Sequence, residues 1–309
     1  MNNNNLKQEI LKLKKEKNAC IMAHYYQDDD IQDVADFIGD SLALAKIATE
    51  VKEKIIVVCG VNFMGETAKI LSPEKKVLMP DIKAGCSLAD SCSAEDLELF
   101  IKKHPGYKVI SYVNTSAKVK ALTDIVVTSS NAKKIVESLP KDEKIIFGPD
   151  KNLGGYINKI TGRDMLLWDG GCHVHQRFSY SKIVEIKKQY PDAEILAHPE
   201  CPSSIVDISD FAGSTLAILN YAGKSESKIF IIVTECGILH QLQLKYPDKK
   251  FIAAPVEDDN VNCNKCDYMR MCTLEKLYDC LKKETPEIII EEKLRVKALK
   301  PIKAMLELS

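Results

Sequence analysis

The chain has 309 residues, 45% hydrophobic and 28% charged, with a formal net charge of −1 and a pI near 6.6. That is a globular composition, and it excludes the basic footprint of a nucleic-acid-binding protein. No apolar run approaches the ~18–20 residues that a bilayer span needs, so no membrane segment is expected. Residues 1–18 are polar, lack the apolar centre of a secretory signal and predict an N-terminal helix, which leads to the expectation of a cytoplasmic protein.

One unit is then written three times, over 19–106, 107–193 and 194–272. The copies open with IMAHYYQ from Ile21, VISYVNT from Val109 and ILAHPEC from Ile195. Each is an apolar strand running into a polar tetrad. The tetrads start at His24, Tyr112 and His198, spaced by 88 and 86 residues. A helix follows, with apolar residues at helical spacing (Ile31, Val34 and Ala35 in the first copy), and then a short apolar run. A small hydroxyl residue next opens a further helix; these are Ser41, Ser129 and Ser214, spaced by 88 and 85. A strand, a turn, a helix and a last strand complete the copy, and Cys59, Phe147 and Thr234 align there at 88 and 87.

The strands IIVV, IIF and FIIV are near-continuous and apolar, the pattern of a parallel sheet covered by helices on both faces. The expected fold is therefore α/β: three α/β/α sandwich domains related by a pseudo-threefold axis, with short parallel sheets around a central active site. Ligands of such sheets collect beyond the carboxyl ends of the strands, where all three tetrads sit. Residues 273–309 are read as C-terminal helices that pack back on the core.

Eleven cysteines are present, and a reducing compartment is expected to keep them as thiols. Cys20, Cys59 and Cys280 read as small buried hydrophobes. Others lie in loops after the last strand of each copy: Cys86 in the first, Cys172 in the second, and Cys263, Cys266 or Cys272 in the third. Cys86 and Cys172 are 86 apart, in register with the repeat. A threefold arrangement would bring one thiol per copy to one pole. Three cysteines leave a metal one position short of the four that close a structural zinc site, and Fe–S clusters are held by cysteine thiolates. An open 4Fe–4S cluster on three cysteines suits dehydration chemistry. Cys263 and Cys266 form a C-x-x-C pair, and His173 and His175 flank Cys172, so other metal sites stay open at this point.

The motifs AHYYQ, GDSLALA, YVNTSAKVKA, TSSNA, FGPDKNLG, GGCHVH, AHPEC, GST, CDYMRMCTLEKL and KALKPIKAML occur in that order. With them the chain resembles the quinolinate synthase A family over nearly its whole length. It departs from the family's usual pattern at Tyr25, Asp267 and Cys272. The resemblance implies three α/β/α domains and a 4Fe–4S cluster on Cys86, Cys172 and Cys266. It implies condensation of iminoaspartate with dihydroxyacetone phosphate to quinolinate, with loss of phosphate and two waters, as a step of NAD biosynthesis. The enzyme that supplies iminoaspartate is an expected transient partner. An aconitase-like hydro-lyase and a redox carrier or iron sensor are the rival readings; polar tetrads around the cluster speak against the latter.

His24, Tyr26, Tyr112, Asn114, His198 and Glu200 are assigned to the pocket as proton carriers and hydrogen-bonding groups. Glu200 and His198 are the best general-base candidates, with Tyr26 and Tyr112 as further catalytic residues. Ser41, Ser129, Ser214 and Thr215 are expected to place helix N-termini against anionic groups of the substrates. His175, three residues after Cys172, is expected to face the cluster. Lys224, in the loop AGKSES, is read as a phosphate or lid contact.

Overall fold

The computed structural model describes residues 2–260 and 263–309; Met1, Val261 and Asn262, which the sequence reading placed in the first and fourth segments, lie outside the described residues. Twelve strands among the described residues form three four-stranded sheets. The first sheet holds β1 (Ala19–His24), β2 (Phe37–Gly39), β3 (Ile55–Cys59) and β4 (Lys76–Leu78) in the order β2-β1-β3-β4. The second holds β5 (Lys108–Tyr112), β6 (Ile125–Val127), β7 (Ile145–Gly148) and β8 (Leu166–Leu167) in the order β6-β5-β7-β8. The third holds β9 (Glu194–Ala197), β10 (Phe211–Ala212), β11 (Ile229–Val233) and β12 (Lys250–Ala253) in the order β10-β9-β11-β12. Every pairing is parallel. A helix lies between each strand and the next, as parallel neighbours need a connection long enough to cross over. The expected α/β architecture with three short parallel sheets is what the chain adopts.

The sheets are buried on both faces, which is why their strands read as unbroken apolar runs: all six residues of β1 and all five of β3 are buried. One polar feature repeats with the fold. Asp36, Asp124 and Asp210 each accept the backbone N–H of a residue 15 positions earlier, Ile21, Val109 and Ile195, at 2.8, 2.7 and 2.8 Å. Each aspartate also donates its own N–H to the carbonyl of that same residue. This two-point clasp fixes the return of the chain beside the first strand, so the tetrad emerges at the same place in every lobe.

The first two lobes share one apolar cluster that contains Met22, Ile56, Ile110 and Phe147. The long helix Glu292–Leu308 adds Ala298, Ile302 and Met305 to it, bridging both lobes. The third sheet is covered by two further clusters, one around Ile195 and Ile231 that also takes Phe178 and Ile183 from the second copy, and one around Leu196 and Phe230. The helix Asn3–Glu16 buries Leu6 and Ile10 against Leu274, Leu277 and Leu281 of the helix Leu274–Lys283.

The third lobe meets the first at Gly237. A Cβ there would lie 2.8 Å from the carbonyl oxygen of Tyr25 and from backbone atoms of Tyr26. Gln32 of the first lobe also donates to the Gly237 carbonyl at 2.9 Å. Main chain cannot swing aside as a side-chain tip can, so Gly237→Ala is expected to cost ~1–3 kcal/mol and to displace the first tetrad. A thermal midpoint equal to wild type in that variant would show that the gap closes without such a clash.

Candidate active site

The carboxyl ends of β1, β5 and β9 converge on one pocket. His24 ends β1, Tyr112 ends β5, and His198 follows β9 directly. The pocket is lined by His24, Tyr26, Ser41, Cys86, Tyr112, Asn114, Ser129, Cys172, His175, His198, Glu200, Thr215 and Cys266. Each lobe thus gives a tetrad, a hydroxyl and a thiol. No lysine or arginine lines it among the described residues.

A hydrogen-bonded chain crosses the pocket through all three lobes. The Tyr26 hydroxyl lies 2.8 Å from Thr215 Oγ1 and 2.7 Å from Thr234 Oγ1. Thr234 Oγ1 lies 2.9 Å from His175 Nε2, and His175 Nδ1 approaches Glu200 Oε2 at 3.1 Å. Tyr112 donates to Glu200 Oε1 at 2.6 Å. His198 stacks on His175 with ring centroids 4.8 Å apart, and its Nε2 lies 3.2 Å from Ser129 Oγ.

Burial sets the protonation states of these groups. It pushes His24 and His198 down to about 3, so both are neutral imidazoles near pH 7. It pushes the Tyr26 and Tyr112 hydroxyls well above their ordinary value, so both stay protonated. Burial would also raise Glu200, but His175 beside it and the Tyr112 hydrogen bond hold its carboxyl well below the usual carboxylate range. Glu200, a buried carboxylate beside neutral imidazoles and phenols, can accept a proton, and the phenols can donate one.

Polar side chains of the three lobes also meet at Ser130. Ser130 Oγ lies 2.8 Å from both Asp40 Oδ2 and Ser214 Oγ, one contact to each neighbouring lobe. The caps differ from those expected. Ser41 is the first residue of the helix Ser41–Glu50, and Asp40 caps it by accepting the Ala43 N–H at 2.9 Å. Ser129 precedes the helix Ala132–Ser138 by three residues and lies in a turn. Ser214 does cap the helix Thr215–Lys224, accepting the Ala217 N–H at 3.2 Å; its side chain is buried in that role and does not line the pocket. Lys224 is not brought to the site. It ends the same 10-residue helix, exposed, and a helix rising ~1.5 Å per residue carries it well away from Thr215.

Of the three cysteines open at the third position, Cys266 alone lines the pocket. Cys272 is buried beside Cys59 and Cys280 in the apolar cluster under the first lobe. Cys263 is joined to Cys236 by a disulfide, with Cα atoms 6.1 Å apart, which corrects the expectation that every cysteine is a thiol. Two pocket cysteines hang from buried carboxylates. Asp150 accepts the Cys172 N–H at 3.2 Å and the Leu153 N–H at 2.7 Å. Glu235, pushed up to about 7 by burial, accepts the Cys266 N–H at 3.1 Å and pairs with Arg270, which reaches on to Asp28 at 3.0 Å. Ser87 and His173, the residues after Cys86 and Cys172, are bonded to each other at 2.5 Å.

A family model described as "Quinolinate synthetase A protein" matches residues 8–307. The chain belongs to that family. Curated quinolinate synthases agree over the same span. One from Chloroherpeton thalassium is 56% identical over 302 residues, covering 98% of this chain and 94% of that protein. One from Microcystis aeruginosa is 56% identical over 300 residues, covering 97% and 94%. One from Synechocystis sp. is 54% identical over 300 residues, again covering 97% and 94%.

The donors in the pocket fit the Fe–S cluster implied for the quinolinate synthase family. Three thiols come from three lobes, and no fourth cysteine lines the pocket among the described residues. Burial pushes Cys86 up to about 12 and raises Cys172 and Cys266 as well, so these are neutral thiols that a metal centre would deprotonate. Thr234, Asp40, Ser130, Asp150 and Glu235 are the site residues that sequence reasoning passed over. Thr234 had a readable signal: it is polar where its repeat mates Cys59 and Phe147 are apolar, at the carboxyl end of a strand.

Proposed function

We propose that this quinolinate synthase family member condenses iminoaspartate with dihydroxyacetone phosphate to quinolinate, releasing phosphate and two waters. The observation that carries the reading is one thiol, one tetrad and one hydroxyl loop per lobe meeting in a single pocket, in a chain that matches the family over residues 8–307. Cys86, Cys172 and Cys266 hold a 4Fe–4S cluster. When bound, the cluster supplies an open iron that acts as a Lewis acid.

The chain's own groups do the rest. Glu200 takes protons from the condensing carbon skeleton, with neutral His198 as the second base. Tyr112 and Tyr26 return protons to departing hydroxyls, and the Tyr26–Thr234–His175 chain carries protons across the pocket. Asn114, Ser41, Ser129 and Thr215 hold carboxylates and phosphate through neutral donors and through the N-termini of two 10-residue helices. His24, whose ring meets that of Tyr26 edge-on at 4.4 Å, orients the substrate. We place the enzyme in the cytoplasm, fed by transient contact with an iminoaspartate-producing enzyme; no helix among the described residues is long and apolar enough to cross a membrane.

The test is anaerobic purification followed by iron and sulfide analysis and a quinolinate assay on the same sample. Iron and sulfide near four each per chain, with quinolinate formed from the two substrates, is the expected result. A colourless protein without iron, or an iron-loaded one that forms no quinolinate, would refute the reading.

A further inference from the structure

Cys172, His175 and Glu200 converge more tightly than the three cysteines alone require. One ligand atom from each lies within 4.8 Å of the others. Cys172 caps the short helix His173–Gln176, so His175 falls three residues on, over the same face. Glu200 enters from the third lobe. We infer that this trio is a second, mononuclear metal site, which binds one zinc ion in the protein when the cluster is absent.

The outer shell of such a site is already built. A metal-bound imidazole normally anchors its other nitrogen, and a metal-bound carboxylate is itself hydrogen-bonded. His175 Nε2 is held by Thr234 Oγ1 at 2.9 Å, while Nδ1 is buried, makes no aligned hydrogen bond, and points at Glu200 Oε2. Glu200 Oε1 is taken by Tyr112, so Oε2, which faces His175 Nδ1 at 3.1 Å, is the oxygen offered to a metal. His175 is 2% exposed and Glu200 3%, so neither donor is satisfied by bulk water.

The donor set selects the ion. One sulfur, one nitrogen and one oxygen suit zinc, with bonds of ~2.0–2.3 Å and a fourth position left open, here toward the pocket. Calcium and magnesium take all-oxygen shells and would reject the thiolate. Cys86 and Cys266 stand outside the trio. Zinc here would occupy a thiolate that the cluster also needs, so the two metals would exclude each other. That competition rests on the cluster reading; the zinc site does not.

The test uses the full chain, freed of iron anaerobically and titrated with zinc and, separately, with cobalt(II). One zinc per chain should survive desalting in wild type and in Cys86→Ser and Cys266→Ser. In His175→Ala and Glu200→Gln, checked for folding by circular dichroism, zinc should bind at least ~10-fold more weakly. The cobalt form should show the charge-transfer band of one thiolate. Zinc lost on removing Cys86 or Cys266, a cobalt band of three thiolates, or no zinc in wild type would each overturn the site. Zinc added first should block iron and sulfide uptake in wild type; undiminished uptake with zinc still bound would overturn the competition. A protein that binds zinc as stated yet forms no quinolinate when iron-loaded would leave the site standing and remove the proposed function.

Discussion

Glu200→Gln is expected to keep the iron and sulfide content of the wild-type enzyme while losing ~10²–10⁴-fold in turnover. The substitution keeps size and shape but removes the carboxylate held between Tyr112 and His175. Glutamine still offers an oxygen to the Tyr112 hydroxyl, so the wall of the pocket should stand. What it lacks is basicity. Steady-state kinetics with metal analysis on the same preparation separate the two effects. Normal turnover in that variant would take the base assignment away from Glu200 and leave His198 as the base. A parallel loss of iron would make Glu200 a residue that supports the cluster.

Cys86→Ser, Cys172→Ser and Cys266→Ser are each expected to lose the cluster and at least ~100-fold in activity, beyond what removal of a mere supporting contact costs. Cys280→Ser should keep both. The contrast follows from placement. The first three thiols line the pocket, one from each lobe, whereas Cys280 is 1% exposed among Leu274, Leu277 and Leu281. Absorbance near 400 nm and iron content read the outcome. Full iron and activity in the Cys266 variant would pass the third position to another residue of the same loop.

Much of this was legible because the sequence repeats itself. Three tetrads at near-equal spacing sit where β1, β5 and β9 end, and three apolar strands per copy are followed by a fourth that leads into a cysteine loop. Strand period and repeat offset carry that information directly. Contacts between lobes are not written in any local pattern. Nothing in the string places Thr234 between Tyr26 and His175, or pairs Cys263 with Cys236, because each depends on how separate sheets dock. Lys224 shows the converse error. A lysine in a Gly/Ser-rich stretch reads as a phosphate loop, yet the helix begun at Thr215 runs through it and carries it to the far end. Asp40 was missed because two neighbouring residues can each open a helix, and local backbone geometry decides which one caps it.

Because no lobe owns the pocket, anything that fills it is a rivet through three plates. A bound ligand at 100 times its Kd adds about 2.7 kcal/mol to the form in which all three lobes are docked, and nothing to a form in which one has come loose. The third sheet, whose two covering clusters are distinct from the one that joins the first two sheets, is the plate most free to melt early. Filling the pocket should therefore fuse its melting with that of the rest, and emptying it should split them.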